Sequence, residues 1–370
     1  MIEQIKRIDY KLLISCFCLS LFGLLMIYSA SSYSAEINYC DAFFYVKKQA
    51  IALVIGLILA TIASVIKLEL LKKYRNVILG VSIILLALVF IPGLGVESYG
   101  AKRWINLGFT TFQPSEIAKF GMVIYLAFYL ESKDMKKFKN IIPVLIIGLI
   151  FCALIMLEPN MSITMCVGLI MIIMLFVSGV RLKHFIILAI PIIIIIPLLI
   201  IMEPYRMQRI LAFIDPWASP RGEGYQLIQS YYALGSGGLF GVGLFNSRQK
   251  FLFLPFAESD FIFAIIGEEL GLIGAALLML LCLYIIFRGV VIAINSGNRY
   301  NTLLAIGLIS VFAVQVVLNI AVVIGAIPPT GLPMPFISAG GSSLVAFMVA
   351  IGLLINISRG RPSTLYTLKP

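Results

Sequence analysis

The chain has 370 residues, 61% hydrophobic and 12% charged. No water-soluble domain is built that way: apolar stretches of about 18 or more residues recur from end to end, each able to cross a hydrocarbon core about 30 Å thick. The net charge of +11 reads as a membrane-orientation signal and gives no reason to invoke nucleic acid.

The expected fold is an all-α polytopic membrane protein of about ten transmembrane helices. The alternation of a membrane β-barrel is absent. The apolar runs place the spans near 11–31, 47–66, 74–92, 114–131, 141–157, 160–178, 184–202, 260–287, 301–325 and 341–358. The first lacks a small-residue cleavage site and reads as a retained span. With the N-terminus inside, 18 of the 28 basic residues but only five of the 17 acids fall on inner segments. Both termini are therefore expected in the cytoplasm.

Spans five and six are joined by a tight turn at Glu158-Pro159-Asn160. The long connections collect on the outer face. One, roughly 92–113, contains "GAKRWINLG". A second, 203–259, is a large extracytoplasmic loop between spans seven and eight, far longer than a helix connection needs. A third, "IPPTGLPMPFISAGGSS", is rich in Pro, Gly and Ser and reads as re-entrant or membrane-hugging. With no solenoid repeat or evident inverted halves, residues 1–370 read as one transmembrane domain. The six cysteines offer neither a disulfide framework nor zinc spacing. The only histidine, His184, sits at an inner helix end, which excludes His-based chemistry.

Polar residues in such a chain need a reason. In "AKRWINLG", Trp104 beside Lys102 and Arg103 is either an interfacial anchor or a surface where an indole stacks on a sugar and an arginine clamps phosphate oxygens. "QPSEIAKF" opens span four with Pro114 in the first turn. Glu116 and Lys119, three apart, share a helix face. The pair neutralises itself, or lends Lys119 to a phosphate or to a carboxylate from another helix. The large loop adds Arg206, Arg209, Arg221, Arg248 and Lys250, cations that singly read as headgroup contacts and together suit an anionic lipid head, above all a diphosphate. "GSGGLFGVG" offers backbone nests for an anion or plain flexibility, and is not a Walker loop.

Asp260 stands where the large loop enters span eight. It reads as a helix N-cap and as a general base whose pKa partial desolvation raises; the two roles are compatible. Glu268 and Glu269 lie about two turns further in, where a buried carboxylate needs a partner or a wet cavity. A structural ion pair is the blander reading for them. Ser342 or Ser343 of "SAGGSS" lines a cavity or serves close packing.

The ordered motifs "MIYSASS", "KRWINLG", "QPSEIAK", "LEPNMS", "RGEGYQLIQSYYALGSGGLFGVG", "QKFLFLPFAESDFIFAIIGEELG" and "PPTGLPMPFISAGGSSL" span almost the whole chain. In this order the chain resembles the SEDS family (shape, elongation, division and sporulation), closer to its FtsW/SpoVE branch than to RodA. The resemblance implies a ten-span peptidoglycan glycosyltransferase that polymerises lipid II on the outer face of the bacterial cytoplasmic membrane. It implies a class B penicillin-binding protein and other division or sporulation proteins as partners, with lipid II and undecaprenyl-diphosphate-linked glycan as substrates. A lipid II flippase or a non-catalytic scaffold are the alternatives. The family's essential aspartate falls on Asp260, its Glu–Lys pair on Glu116 and Lys119, and its outer-loop tryptophan on Trp104. Substrate contacts are expected from these residues and from Arg103, Lys102, Arg206, Lys250, Glu269 and Ser342. No organic cofactor is implied; a divalent cation, Mg or Mn, is left open, with no ligands assigned. Two departures stand out: Phe256 occupies a position where the family commonly has an acid, with Glu258 two residues later, and Ala339 stands where an aromatic is common.

Overall fold

The computed structural model describes residues 8–98, 101–106, 111–201 and 204–360. Each of the ten expected spans coincides with a helix: α1 (Tyr10–Tyr39), α2 (Phe44–Val65), α4 (Arg75–Leu88), α5 (Pro114–Ser132), α6 (Ile142–Leu157), α7 (Met161–Val177), α8 (Leu182–Ile201), α11 (Ile262–Ile294), α12 (Arg299–Val323) and α13 (Gly341–Arg359). Three shorter α-helices stand beside them among the described residues: α3 (Leu68–Lys73), α9 (Pro204–Ile214) and α10 (Tyr225–Gly237). Among the described residues six stretches are long and apolar enough to cross a membrane, those of α1, α2, α11, α12 and α13 and Phe138–Leu157 around α6; α4 and α7 are apolar but shorter.

Helix α12 is among the most enclosed elements. Buried residues face α5, α7, α10, α11 and α13 around it, from Tyr300 to Val323. Helices α2 and α13 pack closely because small residues meet there. A side chain at Gly352 would collide with the Ala60 carbonyl, and close backbone approach is what holds helices together where lipid removes the hydrophobic drive. Asn356 Nδ2 then donates to the Ala63 carbonyl at 2.8 Å, satisfying one of the orphan acceptors at the α2 C-terminus. At the same end, Asp9 caps α1 by accepting from Leu12 N at 3.1 Å and accepts from Arg288 Nε of α11 at 3.3 Å.

Two expected loops are folded. Residues around "GAKRWINLG" form an antiparallel sheet of β1 (Gly95–Ser98), β2 (Ala101–Asn106) and β3 (Thr111–Phe112), with Val96 opposite Trp104 and Ile105 opposite Phe112. The 203–259 segment carries α9 and α10; α10 packs on α11 and is tied to the end of α12 by Ser230 Oγ donating to the Val323 carbonyl at 2.7 Å. Helix α11 is broken at Gly271, whose φ of 67° lies in the left-handed region that favours glycine. The break lets the Gly-rich turn close on it: Val242 N donates to the Glu268 carbonyl at 2.9 Å and Gly243 N to that of Glu269 at 3.0 Å.

Candidate functional site

Asp260 lies in the turn ahead of α11. The N-cap position belongs to Phe261, with no side-chain cap, so capping is not the work of this carboxylate. The turn is held from three sides. Asn319 Nδ2 of α12 donates to the Asp260 carbonyl at 2.8 Å and to the Leu332 carbonyl at 2.7 Å. Ser338 Oγ donates to the Ser259 carbonyl at 2.6 Å, and Ala339 N to the Glu258 carbonyl at 2.8 Å. Gln49 in turn clamps the 338–340 segment, donating to the Ser338 carbonyl at 3.0 Å and accepting from Gly340 N at 3.1 Å. The Asp260 backbone is thus immobilised while its side chain stays partly exposed. Gly331 leaves it room: a Cβ there would stand 3.2 Å from Asp260 Oδ2.

Two arginines act on this carboxylate. Arg209, on α9, donates to the Pro329 carbonyl at 3.0 Å. Arg103, on β2, donates through Nε to the Glu158 carbonyl at 3.1 Å and through Nη2 to that of Pro159. Burial pushes the Asp260 carboxyl up to about 7; Arg209 pulls it down, Glu258 pushes it up, and Arg103 pulls it down. Desolvation winning over two cations leaves a base poised near neutrality. Burial likewise raises Glu258.

Glu158 shares the neighbourhood. It is fully buried and neither side-chain oxygen has a hydrogen-bond partner. Burial pushes it up to about 8, opposed by Arg103. Four residues on, Ser162 Oγ accepts from Gly331 N at 3.1 Å. The α6–α7 turn and the first turn of α7 therefore fix Arg103 and the glycine beside Asp260, respectively.

The other expected residues distribute differently. Lys119 is fully buried and donates to Glu116 Oε1 at 2.9 Å and to Gln315 Oε1 at 2.7 Å. It is sealed within the bundle rather than open to a phosphate. Gln315 Nε2 donates onward to the Pro333 carbonyl at 2.9 Å, so the pair is tied to the loop that carries Gly331. Lys102 is exposed on β2 opposite Glu97, and Trp104 is half-buried. Ser342 Oγ accepts from Gln113 N at 3.4 Å. Arg206 lies in α9, its side chain outside the described residues.

Lys250 and Glu269 belong to a second cluster. Glu269 Oε1 accepts from Ser29 Oγ at 2.6 Å, Ser247 N at 3.2 Å and Lys250 Nζ at 3.3 Å. Glu268 accepts from Arg248 N at 3.0 Å and from Ser247 Oγ. These two acids fasten the 247–250 turn to α11, Glu269 through an ion pair with Lys250 and Glu268 through hydrogen bonds.

Gln315 and Asn319 were not singled out from the sequence, although two amides four apart in an apolar helix mark one shared face. Arg209 stood there only as one of several loop cations. Among the described residues no group of three His, Cys, Asp or Glu gathers to hold a metal. A depression of about 430 Å³, lined by Glu131, Lys133, Lys136, Ser178 and Arg299 among others, opens at the far end of α12 from Asn319 and is unrelated to this chemistry.

A helical bundle that carries apolar spans along its length and gathers a partly exposed carboxylate and two guanidinium groups at one end is a multi-pass membrane protein with a polar site at its mouth. The chain belongs to the cell cycle protein family of FtsW, RodA and SpoVE, whose family model matches residues 10–362. It is 41% identical to the stage V sporulation protein E of Bacillus subtilis (strain 168), over 95% of this chain and 97% of that one. It is also 41% identical to a probable peptidoglycan glycosyltransferase FtsW of Coxiella burnetii (strain RSA 493 / Nine Mile phase I), over 95% of this chain and 96% of that one. A chain from a solved peptidoglycan synthase complex, described as structurally coordinating polymerization and crosslinking, superimposes with a TM-score of 0.81 at 27% identity, covering 96% of this chain and 99% of its own.

Proposed function

We propose that the chain is a peptidoglycan glycosyltransferase that polymerises lipid II into glycan strands on the outer face of the cytoplasmic membrane, in cell division or sporulation. The reading is carried by one observation: a partly exposed Asp260 carboxylate, pushed up to about 7, beside Arg103 and Arg209. The 4-hydroxyl of one lipid II attacks the anomeric carbon of a diphosphate-linked strand. Asp260 takes the hydroxyl proton as the new C–O bond forms. The old bond to phosphate breaks with its electron pair going to the undecaprenyl diphosphate, and inversion follows from in-line displacement. Arginines at fixed positions stabilise that developing charge without reorganising during the step. Mg or Mn would enter as a companion of the diphosphate, as Mg usually does at phosphate sites, and no step here depends on it. Similarity to a chain of a synthase complex supports a class B penicillin-binding protein as partner.

Asp260→Asn keeps the size of the side chain and removes the base. Purified protein with its transpeptidase partner should lose glycan synthesis by about 100-fold or more, in the range general-base removal produces. Undiminished synthesis by folded Asp260→Asn protein overturns the reading in favour of a scaffold. Movement of labelled lipid II across vesicles without polymerisation overturns it in favour of a flippase.

A further inference from the structure

Glu158 is a carboxyl group with no evident employment. It is fully buried, both of its side-chain oxygens lack a hydrogen-bond partner, and the guanidinium beside it bonds its main-chain oxygen instead. An ionised carboxylate in reach of a guanidinium would be expected to take it as a short, bidentate pair. A buried carboxylate left without any donor is strongly disfavoured. Both facts are satisfied together when the side chain keeps its proton. Resting on the glycosyltransferase reading, we infer that Glu158 is a positioning residue of the Asp260 site: as a neutral acid it leaves the Arg103 guanidinium held by the Glu158 and Pro159 carbonyls and turned to Asp260 and the substrate diphosphate, and as a carboxylate it would draw that guanidinium away.

The geometry makes this a switch with one moving part. The Glu158 and Pro159 carbonyls orient Arg103 without cancelling its charge, because a carbonyl is a dipole and not an ion. The charge acting on Glu158 among the described residues is that of Arg103 on β2. Arg103, Arg209 and Glu258 act on Asp260. Ser162, which holds Gly331 from the first turn of α7, does not titrate. Ionisation of Glu158 therefore acts on the site through the direction and effective charge of Arg103.

The test compares wild type with Glu158→Gln, which mimics the neutral acid. Polymerisation of lipid II by the full chain with its transpeptidase partner is followed from about pH 6 to about pH 9, and thermal unfolding is followed on the same samples. Wild-type rate should fall on the alkaline side of about 8, by up to about tenfold per pH unit. Glu158→Gln should match wild type near neutrality within about twofold and lack that fall. In unfolding, the wild type should lose stability relative to Glu158→Gln as pH rises from the ordinary carboxylate range to about 8, since the folded state alone retains the proton there. Superimposable pH–rate profiles overturn the inference, as does a folded Glu158→Gln protein inactive at every pH. If the wild type does not polymerise at all, the glycosyltransferase reading fails. The unfolding comparison still decides whether Glu158 is neutral.

Discussion

At the scale of single residues, Asp260 shows what a membrane mouth does to an acid. Its turn is fixed by Asn319, Ser338 and Ala339 through main-chain oxygens, so the carboxylate itself is left for chemistry. Burial outweighs both arginines and brings the group up to about 7. A base must be deprotonated to work, so the rate of glycan synthesis should fall as pH drops through about 7; a pH–rate profile reads this directly. Burial and the neighbouring Glu258 both raise that limb, against the pull of Arg209 and Arg103. The same shift has a cost in stability. Folded Asp260 keeps a proton that the unfolded chain gives up near 3.8, so its contribution to stability falls as pH rises from about 3.8 to about 7 and stays low above that. Asp260→Asn should flatten that part of the dependence in thermal melts.

At the scale of elements, α12 joins the two polar groups that the sequence left separate. Gln315 bonds Lys119 and the Pro333 carbonyl; Asn319, one turn on, bonds the Asp260 and Leu332 carbonyls. The buried pair is therefore part of the wall behind the site. Removing one partner of such a pair strands the other charge, at a cost of about 3–5 kcal/mol, while replacing both is far milder. Lys119→Met should thus lower the melting temperature more than Glu116→Gln/Lys119→Met together, measured on purified protein. A double-mutant loss equal to the sum of the losses in Glu116→Gln and Lys119→Met alone would show the two charges to be independent. Much of this scale was legible beforehand: the ten helices fall where long apolar runs demand them. The sheet was not, because β1 to β3 are only 4, 6 and 2 residues long and too short for an alternation to declare itself. Nor were α9 and α10, whose mixed polarity resembles a loop as much as a short helix. At the site, the motif order pointed to Asp260, Trp104 and the Glu116–Lys119 pair, and side-chain chemistry to Arg103. What it could not give was depth. Whether Lys119 opens to a ligand or turns to Gln315 depends on a helix almost 200 residues later in the chain, and the same holds for Lys250 and Glu269, which meet each other and Ser29 rather than Asp260.

For the whole molecule, the broken α11 sets how the protein sits in its bilayer. Its 33 residues would make an unbroken rod of about 50 Å, well beyond a hydrocarbon thickness of about 30 Å. Split at Gly271, the lower leg of Leu272–Ile294 measures about 34 Å and matches the membrane by itself. The short upper leg, buried within the bundle and carrying Glu268 and Glu269 below the Asp260 turn, would then sit at the level of the lipid headgroups. Thickness becomes a control on reactivity: acyl chains several Å longer than the native ones would raise the oily boundary toward the acids, since mismatch is accommodated by tilt or by local deformation at modest cost. Glycan synthesis in vesicles of stepped chain length should therefore peak at a matched thickness and decline in thicker ones. A flat response would mean that the upper leg does not set the waterline.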